Sequence, residues 1–340
     1  MYYQWLRRLM FALNPEHAHS LGLTGLKLGY AGPWRRFWGQ AKAWKKTQVM
    51  GLAFPNPLGL AAGLDKNGDY VGALCHLGFG FVEIGTVTPR AQLGNAQPRL
   101  FRLTKNQAII NRMGFNNKGV DYLAQKIQAM PRCCILGINI GKNKSTPLET
   151  AVNDYRYGLE RAYPLADYIT LNISSPNTPG LRALQQKNYL FTLLESLKQQ
   201  QALLANAYQR YVPLVVKIDP DLSEAALVEL ADILISCQID GVIATNTTVA
   251  REHLAVEAHS EQAGGLSGRP LFQRSTHVIA QLQQHLKGAL PIIGVGGIDS
   301  GAAAIKKLAA GASLLQIYSS LIYQGPSVIQ DIRRAIVAKH

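Results

Sequence analysis

A chain of 340 residues with 47% hydrophobic content is long enough to bury a large core and ordinary enough in composition to be globular. Its net charge of +14 points to an anionic partner: nucleic acid, anionic lipid or a phosphorylated ligand. The four cysteines, at 75, 133, 134 and 237, form no C-x-x-C pair, so the sequence is read as holding neither disulfide nor metal site, in a reducing cytosolic compartment.

The first 46 residues stand apart. They hold all four tryptophans (Trp5, Trp34, Trp38, Trp44) and eight basic residues (Arg7, Arg8, Lys27, Arg35, Arg36, Lys42, Lys45, Lys46) against one acid, Glu16. Residues 1–13 read as a short amphipathic helix. Asn14 is its successor's N-cap, Pro15 the first helical position, and the second helix runs to about Tyr30, turning Ala18, Leu21 and Leu28 to an apolar surface. No apolar run reaches the roughly 18 residues a bilayer span needs, and charges interrupt any signal-peptide pattern. Two readings remain: an in-plane membrane anchor, or a helical cap on the main domain.

From residue 57 onward, short apolar runs alternate with helical stretches. The runs are 58–62, 80–85, 135–140, 167–171, 213–218, 241–245, 291–295 and 314–318. Helices are expected over Asn188–Ala207, Ser223–Ser236 and Gln273–Leu286, and a hairpin inserted over Arg99–Met113. Eight strand–helix units predict an α/β fold, a parallel (β/α)8 TIM barrel over residues 47–340, preceded by the helical domain of 1–46.

Such a barrel builds its active site at the carboxyl ends of its strands. Those ends are polar or glycine-rich: Ala61-Ala62-Gly63-Leu64-Asp65-Lys66, Gly85-Thr86, Asn139, Asn172, Lys217, Thr245-Asn246-Thr247, Gly294-Val295-Gly296-Gly297 and Tyr318-Ser319. The fourth end runs into Asn172-Ile173-Ser174-Ser175-Pro176-Asn177-Thr178-Pro179-Gly180, where uncharged carboxamides flank two hydroxyls. Carboxamides both donate and accept, which suits a planar heterocycle with amide edges. Gly296-Gly297, followed by a helix starting near Asp299-Ser300-Gly301, reads as an anion cradle. Lys217, deep on its strand, calls for an electron-rich neighbour, and Lys66 either pairs with Asp65 or holds a substrate carboxylate. Glu83 reads as a structural residue of the barrel interior.

At this level of detail the chain resembles the quinone-linked (class 2) dihydroorotate dehydrogenases, from Met1 to about residue 330. The resemblance rests on Asn56–Lys66, Glu83–Pro89, Ile110–Asn117, Asn172–Arg182, Gly241–Thr248, Gly264–Gly268 and Ile293–Ile298. It implies oxidation of (S)-dihydroorotate to orotate through FMN with a quinone as acceptor, in de novo pyrimidine (UMP) biosynthesis. It implies Ser175 as the base. It implies that FMN is held by Ala62, Gly63, Leu64, Asp65, Lys66, Thr86, Asn139, Asn172, Lys217, Thr245, Gly268, Gly297, Tyr318 and Ser319, and dihydroorotate by Lys66, Asn111, Arg112, Met113, Gly114, Phe115, Asn172, Asn177, Asn246 and Thr247. It implies that the N-terminal helices form the quinone entrance with His19, Arg102 and Tyr318. The implied protein is a monomer without metal or nucleic acid, peripheral on the cytoplasmic side of the inner membrane.

Serine is a weak base, normally activated by histidine. None of the eight histidines lies at a predicted strand end, so a hydrolase triad is not expected, and Thr178 with water is left to carry the proton away. Asp219 and Ser320 depart from the family pattern, which has a small or neutral residue and commonly a glycine there. A tRNA-uridine-reducing flavin barrel is disfavoured because the loop offers Ser174 and Ser175 where that chemistry needs cysteine. A non-enzymatic membrane-surface protein is disfavoured by the decorated strand ends.

Overall fold

All eight apolar runs become parallel strands. In a computed structural model, described over residues 2–32, 43–252 and 254–339, they are Leu58–Leu60, Phe81–Val87, Ile135–Ile140, Tyr168–Asn172, Leu214–Lys217, Gly241–Ala244, Ile292–Val295 and Ala312–Ile317. Each pairs with its sequence neighbours, and the eighth pairs with the first, closing the barrel. The three expected helices appear as Lys187–Tyr208, Glu224–Ser236 and Phe272–Leu286. Ser223 caps the second of these by accepting from the Ala226 N–H, and Ser300 caps Gly301–Ala309 by accepting from Ala303.

The lower half of the barrel is apolar. Phe54, Phe81, Tyr168, Val215, Ile243, Ile293 and Leu314 fill it above a small antiparallel hairpin, Thr47–Val49 with Leu52–Phe54, at the amino end. Gly59 and Gly137 make room for these aromatics: a Cβ on either would meet the Phe81 or Tyr168 ring at 2.4 or 2.2 Å. Above the aromatic layer the interior turns polar, which places hydrogen-bonding groups at the carboxyl end.

The predicted hairpin is present as Leu100–Leu103 and Ala108–Asn111, but it carries a third strand, Gly265–Gly268, from the loop after strand six. Two helices, α1 (Tyr2–Ala12) and α2 (Pro15–Ala31), precede the barrel, with Asn14 capping α2 at the Glu16 N–H. They are tied down by polar contacts. Glu16 meets Arg99 at 3.0 Å, the Tyr3 hydroxyl donates to the Ile322 carbonyl at 2.7 Å, and Arg7 donates to the Tyr323 carbonyl at 2.9 Å. Trp5 is exposed, whereas Trp44 packs against the main core. Trp34, Trp38, Arg35, Arg36 and Lys42 lie outside the described residues. No helix among the described residues is long and apolar enough to cross a membrane.

The cysteines correct the sequence reading. Cys75 and Cys134 are joined in a disulfide, and Cys133 Sγ lies within 4.8 Å of both sulfurs. Cys75 ends the helix before the second barrel strand and Cys134 enters the third, 59 residues away, so their meeting depends on the pairing of those two strands and leaves no spacing signature.

Candidate active site

The carboxyl end of the barrel opens into a cavity of about 450 Å³, roofed by α2 and the three-stranded sheet. Its floor is a ladder of buried polar side chains on neighbouring strands. Thr86 Oγ1 donates to Asn139 Oδ1 at 2.6 Å and accepts from Asn172 Nδ2 at 2.8 Å. Asn246 Nδ2 reaches Asn172 Oδ1 at 3.3 Å and Ser174 Oγ at 3.0 Å. Alternation along their strands sends Asn139 and Asn172 inward, Thr86 joins them where the register of strand two shifts after Gly85, and burial leaves these three little water to bond instead.

Ser175 follows strand four and faces the cavity, its Oγ accepting the Asn177 N–H at 3.3 Å. Asn177 in turn donates to Asn111 Oδ1 at 3.3 Å, linking the serine loop to the inserted sheet. Thr178 Oγ1 is buried with no hydrogen-bond partner among the described residues. No histidine hydrogen-bonds Ser175 among the described residues, in keeping with the absence of a triad.

Asp65 and Lys66 do not pair. Asp65 is a turn-former whose carboxylate accepts the backbone N–H groups of Asn67, Gly68, Asp69 and Tyr70 at 2.7–3.2 Å. Burial raises its pKa, and those N–H groups oppose the shift. Lys66 instead donates to Asn116 Oδ1 at 2.6 Å. Burial, helped by Arg99, lowers its pKa to about 8. A cation so desolvated gains from an anion beside it. His19 of α2 is hydrogen-bonded to the Leu64 backbone and pushed down to about 4, by burial first and the Lys66 charge second, so it is a neutral imidazole at the cavity roof.

The other end of the cavity is a cradle. Gly268, Gly296 and Gly297 have φ of +95°, +106° and +72°, and a Cβ on Gly297 would meet Phe272 at 2.5 Å. Ser319 and Ser320 line the same end, and Ser320 Oγ is buried without a hydrogen-bond partner among the described residues. An orphaned hydroxyl beside open backbone in a glycine cradle fits a phosphate-sized anion. Lys217 and Tyr318 stand between the two ends; burial lowers the Lys217 pKa, and Glu83 opposes the shift. Burial raises the Tyr318 pKa to about 12.

Most residues the sequence singled out therefore meet. Ala62, Gly63, Leu64, Asp65, Lys66, Thr86, Asn111, Met113, Gly114, Phe115, Asn172, Ser175, Asn177, Lys217, Thr245, Asn246, Thr247, Gly268, Gly297, Tyr318, Ser319 and His19 all line the one cavity. Three do not. Asn139 is fully buried beneath Thr86. Arg112 turns away to Gln262 and the Pro98 carbonyl and stacks on Phe101. Arg102 holds the α1–α2 corner through the Met10 and Leu13 carbonyls and the Phe11 ring.

Residues 45–339 match the dihydroorotate dehydrogenase family model. A dihydroorotate dehydrogenase (quinone) of Proteus mirabilis is 54% identical over 98% of this chain and 99% of its own length. That of Methylobacillus flagellatus is 53% identical over 99% and 100%. Among solved structures, the DHODH of Eimeria tenella in complex with ferulenol superposes with a TM-score of 0.87 at 37% identity, covering 96% of this chain and 93% of the other. The chain belongs to the dihydroorotate dehydrogenase family.

The pairing of Asp219 with Arg182 and the bond from Lys66 to Asn116 were not read from the sequence, where Asp219 stood only as a departure from the family pattern. Asp219 is buried and lies 2.5 Å from Arg182 Nε; burial raises its pKa to about 6 despite that neighbour. Arg182 also donates to the Thr247 carbonyl and to Asp221, so it clamps the end of the serine loop to the loop after strand six. Asn116, the partner of Lys66, was quoted only as part of a motif. The motif run into Arg182 was the one available signal; the pairing itself joins residues 37 positions apart and is invisible in one sequence.

Proposed function

We infer that the protein oxidises dihydroorotate to orotate and delivers the electrons to a quinone. The observation that carries this reading is one cavity with two chemistries. A partly buried ammonium, a serine and convergent carboxamides stand at one end, and a glycine cradle with an unpartnered hydroxyl at the other.

The family is flavin-dependent, and we propose FMN as the group held. Gly268, Gly296, Gly297, Ser319 and Ser320 suit its phosphate, while Ala62, Gly63, Thr86, Asn172, Lys217, Thr245 and Tyr318 suit its ring. A flavin bound there supplies the acceptor for the hydride leaving ring carbon 6 and the relay to quinone.

The chain's own residues do the rest. Lys66, held by Asn116, pairs with the substrate carboxylate. Asn111, Asn172, Asn177 and Asn246 meet the amide edges of the substrate ring, with Thr247 and the segment Met113–Phe115 bounding it. Ser175 Oγ takes the proton from ring carbon 5. As it does so its own hydroxyl proton departs through water, and the Asn177 N–H that Oγ already accepts orients the oxygen and favours the alkoxide character that develops as that proton leaves. Thr178, three positions on and unpartnered, is the exit for that proton.

The α1–α2 layer is proposed as the membrane-facing element and quinone entrance, with His19, Arg102 and Tyr318 along the passage. The protein is then a peripheral monomer on the cytoplasmic face of the inner membrane. The test is spectroscopic: dihydroorotate should bleach the visible flavin band of the purified protein, and a quinone should restore it. Failure of dihydroorotate to bleach a fully loaded flavin would overturn the reading.

A further inference from the structure

We propose that Glu83, inside the barrel and outside the cavity, is a positioning residue that fixes which way the Asn172 carboxamide faces the substrate. The proposal rests on the functional reading above. Glu83 is 1% exposed and lies on strand two. Three donors converge on its carboxylate: Asn139 Nδ2 at 2.8 Å on one oxygen, and the Tyr168 hydroxyl at 2.9 Å and Gln316 Nε2 at 2.8 Å on the other. A carboxylate accepts only, whereas every group above it can work in either direction.

The direction then propagates. With Nδ2 held by Glu83, Asn139 turns Oδ1 to Thr86, so the Thr86 hydroxyl donates there at 2.6 Å. That hydroxyl has its lone pairs left for Asn172 Nδ2, at 2.8 Å. Asn172 therefore shows Oδ1 to the active-site side, where Ser174 Oγ and Asn246 Nδ2 both find it at 3.3 Å. An amide, a hydroxyl and a second amide are each reversible alone; the acceptor-only group at the base selects one order. Asn139, Thr86 and Asn172 are all buried, so water does not compete for the links. A carboxamide facing the wrong way leaves a substrate donor or acceptor unpaired, which weakens binding by roughly 10- to 100-fold.

The experiment is a double-mutant cycle on full-length, FMN-loaded protein, with orotate affinity read from the shift it causes in the flavin spectrum. Glu83→Met, which leaves Asn139 Nδ2 without its acceptor, and Thr86→Val should each weaken orotate by roughly 10- to 100-fold. The double variant should bind no more weakly than the poorer single, because both cut one chain of bonds. Tyr168→Phe, which removes a donor from Glu83 and leaves the chain intact, should change affinity less than about twofold. Losses that multiply in the double variant would show that Glu83 acts through its field or through packing, and would overturn the proposal. So would a Glu83→Met protein with a lower melting temperature and unchanged orotate affinity. If Glu83→Met does not fold, Thr86→Ser against Thr86→Val decides: retained affinity in the serine variant supports the relay and its loss refutes it. Should wild-type protein fail to bind orotate, the functional reading falls separately. The same cycle on FMN affinity of the apoprotein then judges the relay, non-additive losses supporting it and additive ones refuting it.

Discussion

Replacing Trp5, Leu9 and Leu28 together by glutamine should release the protein from membranes while leaving its chemistry intact. These side chains are 68%, 67% and 68% exposed, so none of them contributes much to packing against the barrel. Fully burying a side chain of this size is worth about 1.5–3 kcal/mol, and two-thirds of that is available when the exposed part enters the headgroup–acyl boundary. Three such residues contribute about 3–6 kcal/mol, or roughly a 100- to 10,000-fold change in partition at 1.4 kcal/mol per decade. The assay is co-sedimentation with anionic vesicles, paired with stopped-flow reduction by dihydroorotate and reoxidation by a long-tailed quinone. The expected variant binds vesicles weakly, reoxidises slowly with that quinone, and is reduced by dihydroorotate at the wild-type rate. Unchanged vesicle binding would refute the reasoning, since α1 and α2 would then be only a cap on the barrel.

Ser175→Ala should keep its flavin and lose dihydroorotate oxidation by roughly 100- to 10,000-fold, the usual contribution of a general base; rapid flavin reduction at neutral pH would count against the assignment. Lys217→Ala should lower FMN occupancy or the midpoint potential of the bound cofactor, because it removes a buried cation beside the ring; flavin content and potential both at wild-type values would contradict this. Ser320→Gly should weaken FMN binding by about 1 kcal/mol, the net worth of one hydrogen bond, read as a fivefold rise in Kd on apoprotein titration. Lys307→Met should stabilise the fold near neutral pH. Lys307 is fully buried and burial lowers its pKa to about 7, so the unfolded chain binds a proton that the folded one lacks between there and the ordinary value of 10.5. Its cost is full below about pH 7 and fades as pH rises to 10.5, so the gain from methionine should follow the same course, from on the order of 4 kcal/mol to none. A gain independent of pH in urea melts would rule out this origin.

The barrel was legible because each strand is a short apolar run closed by a polar or glycine-rich end, a pattern local to a few residues. Leu214–Lys217 and Gly241–Ala244 show it well: every residue of both is buried, and the residues that follow or end them face the cavity. Gly265–Gly268 was missed as a strand because Gly-Leu-Ser-Gly reads as a turn, and only its pairing with Ala108–Asn111 extends it. That pairing matters to the site, since it sets Asn111 beside Gly265. The disulfide and the Asp219–Arg182 pair escaped for the same physical reason: both join residues far apart in sequence that meet only once neighbouring strands pair. Glu83 was read as structural from its place within a strand; its three donors come from three other strands.

The most direct measurement of the central claim is the visible spectrum of purified protein mixed anaerobically with dihydroorotate and then with a quinone. Bleaching of the flavin band on the first addition, its return on the second and the appearance of one orotate per flavin are the predicted result. A flavin band that dihydroorotate leaves untouched, in protein carrying its full complement of flavin, would contradict the account.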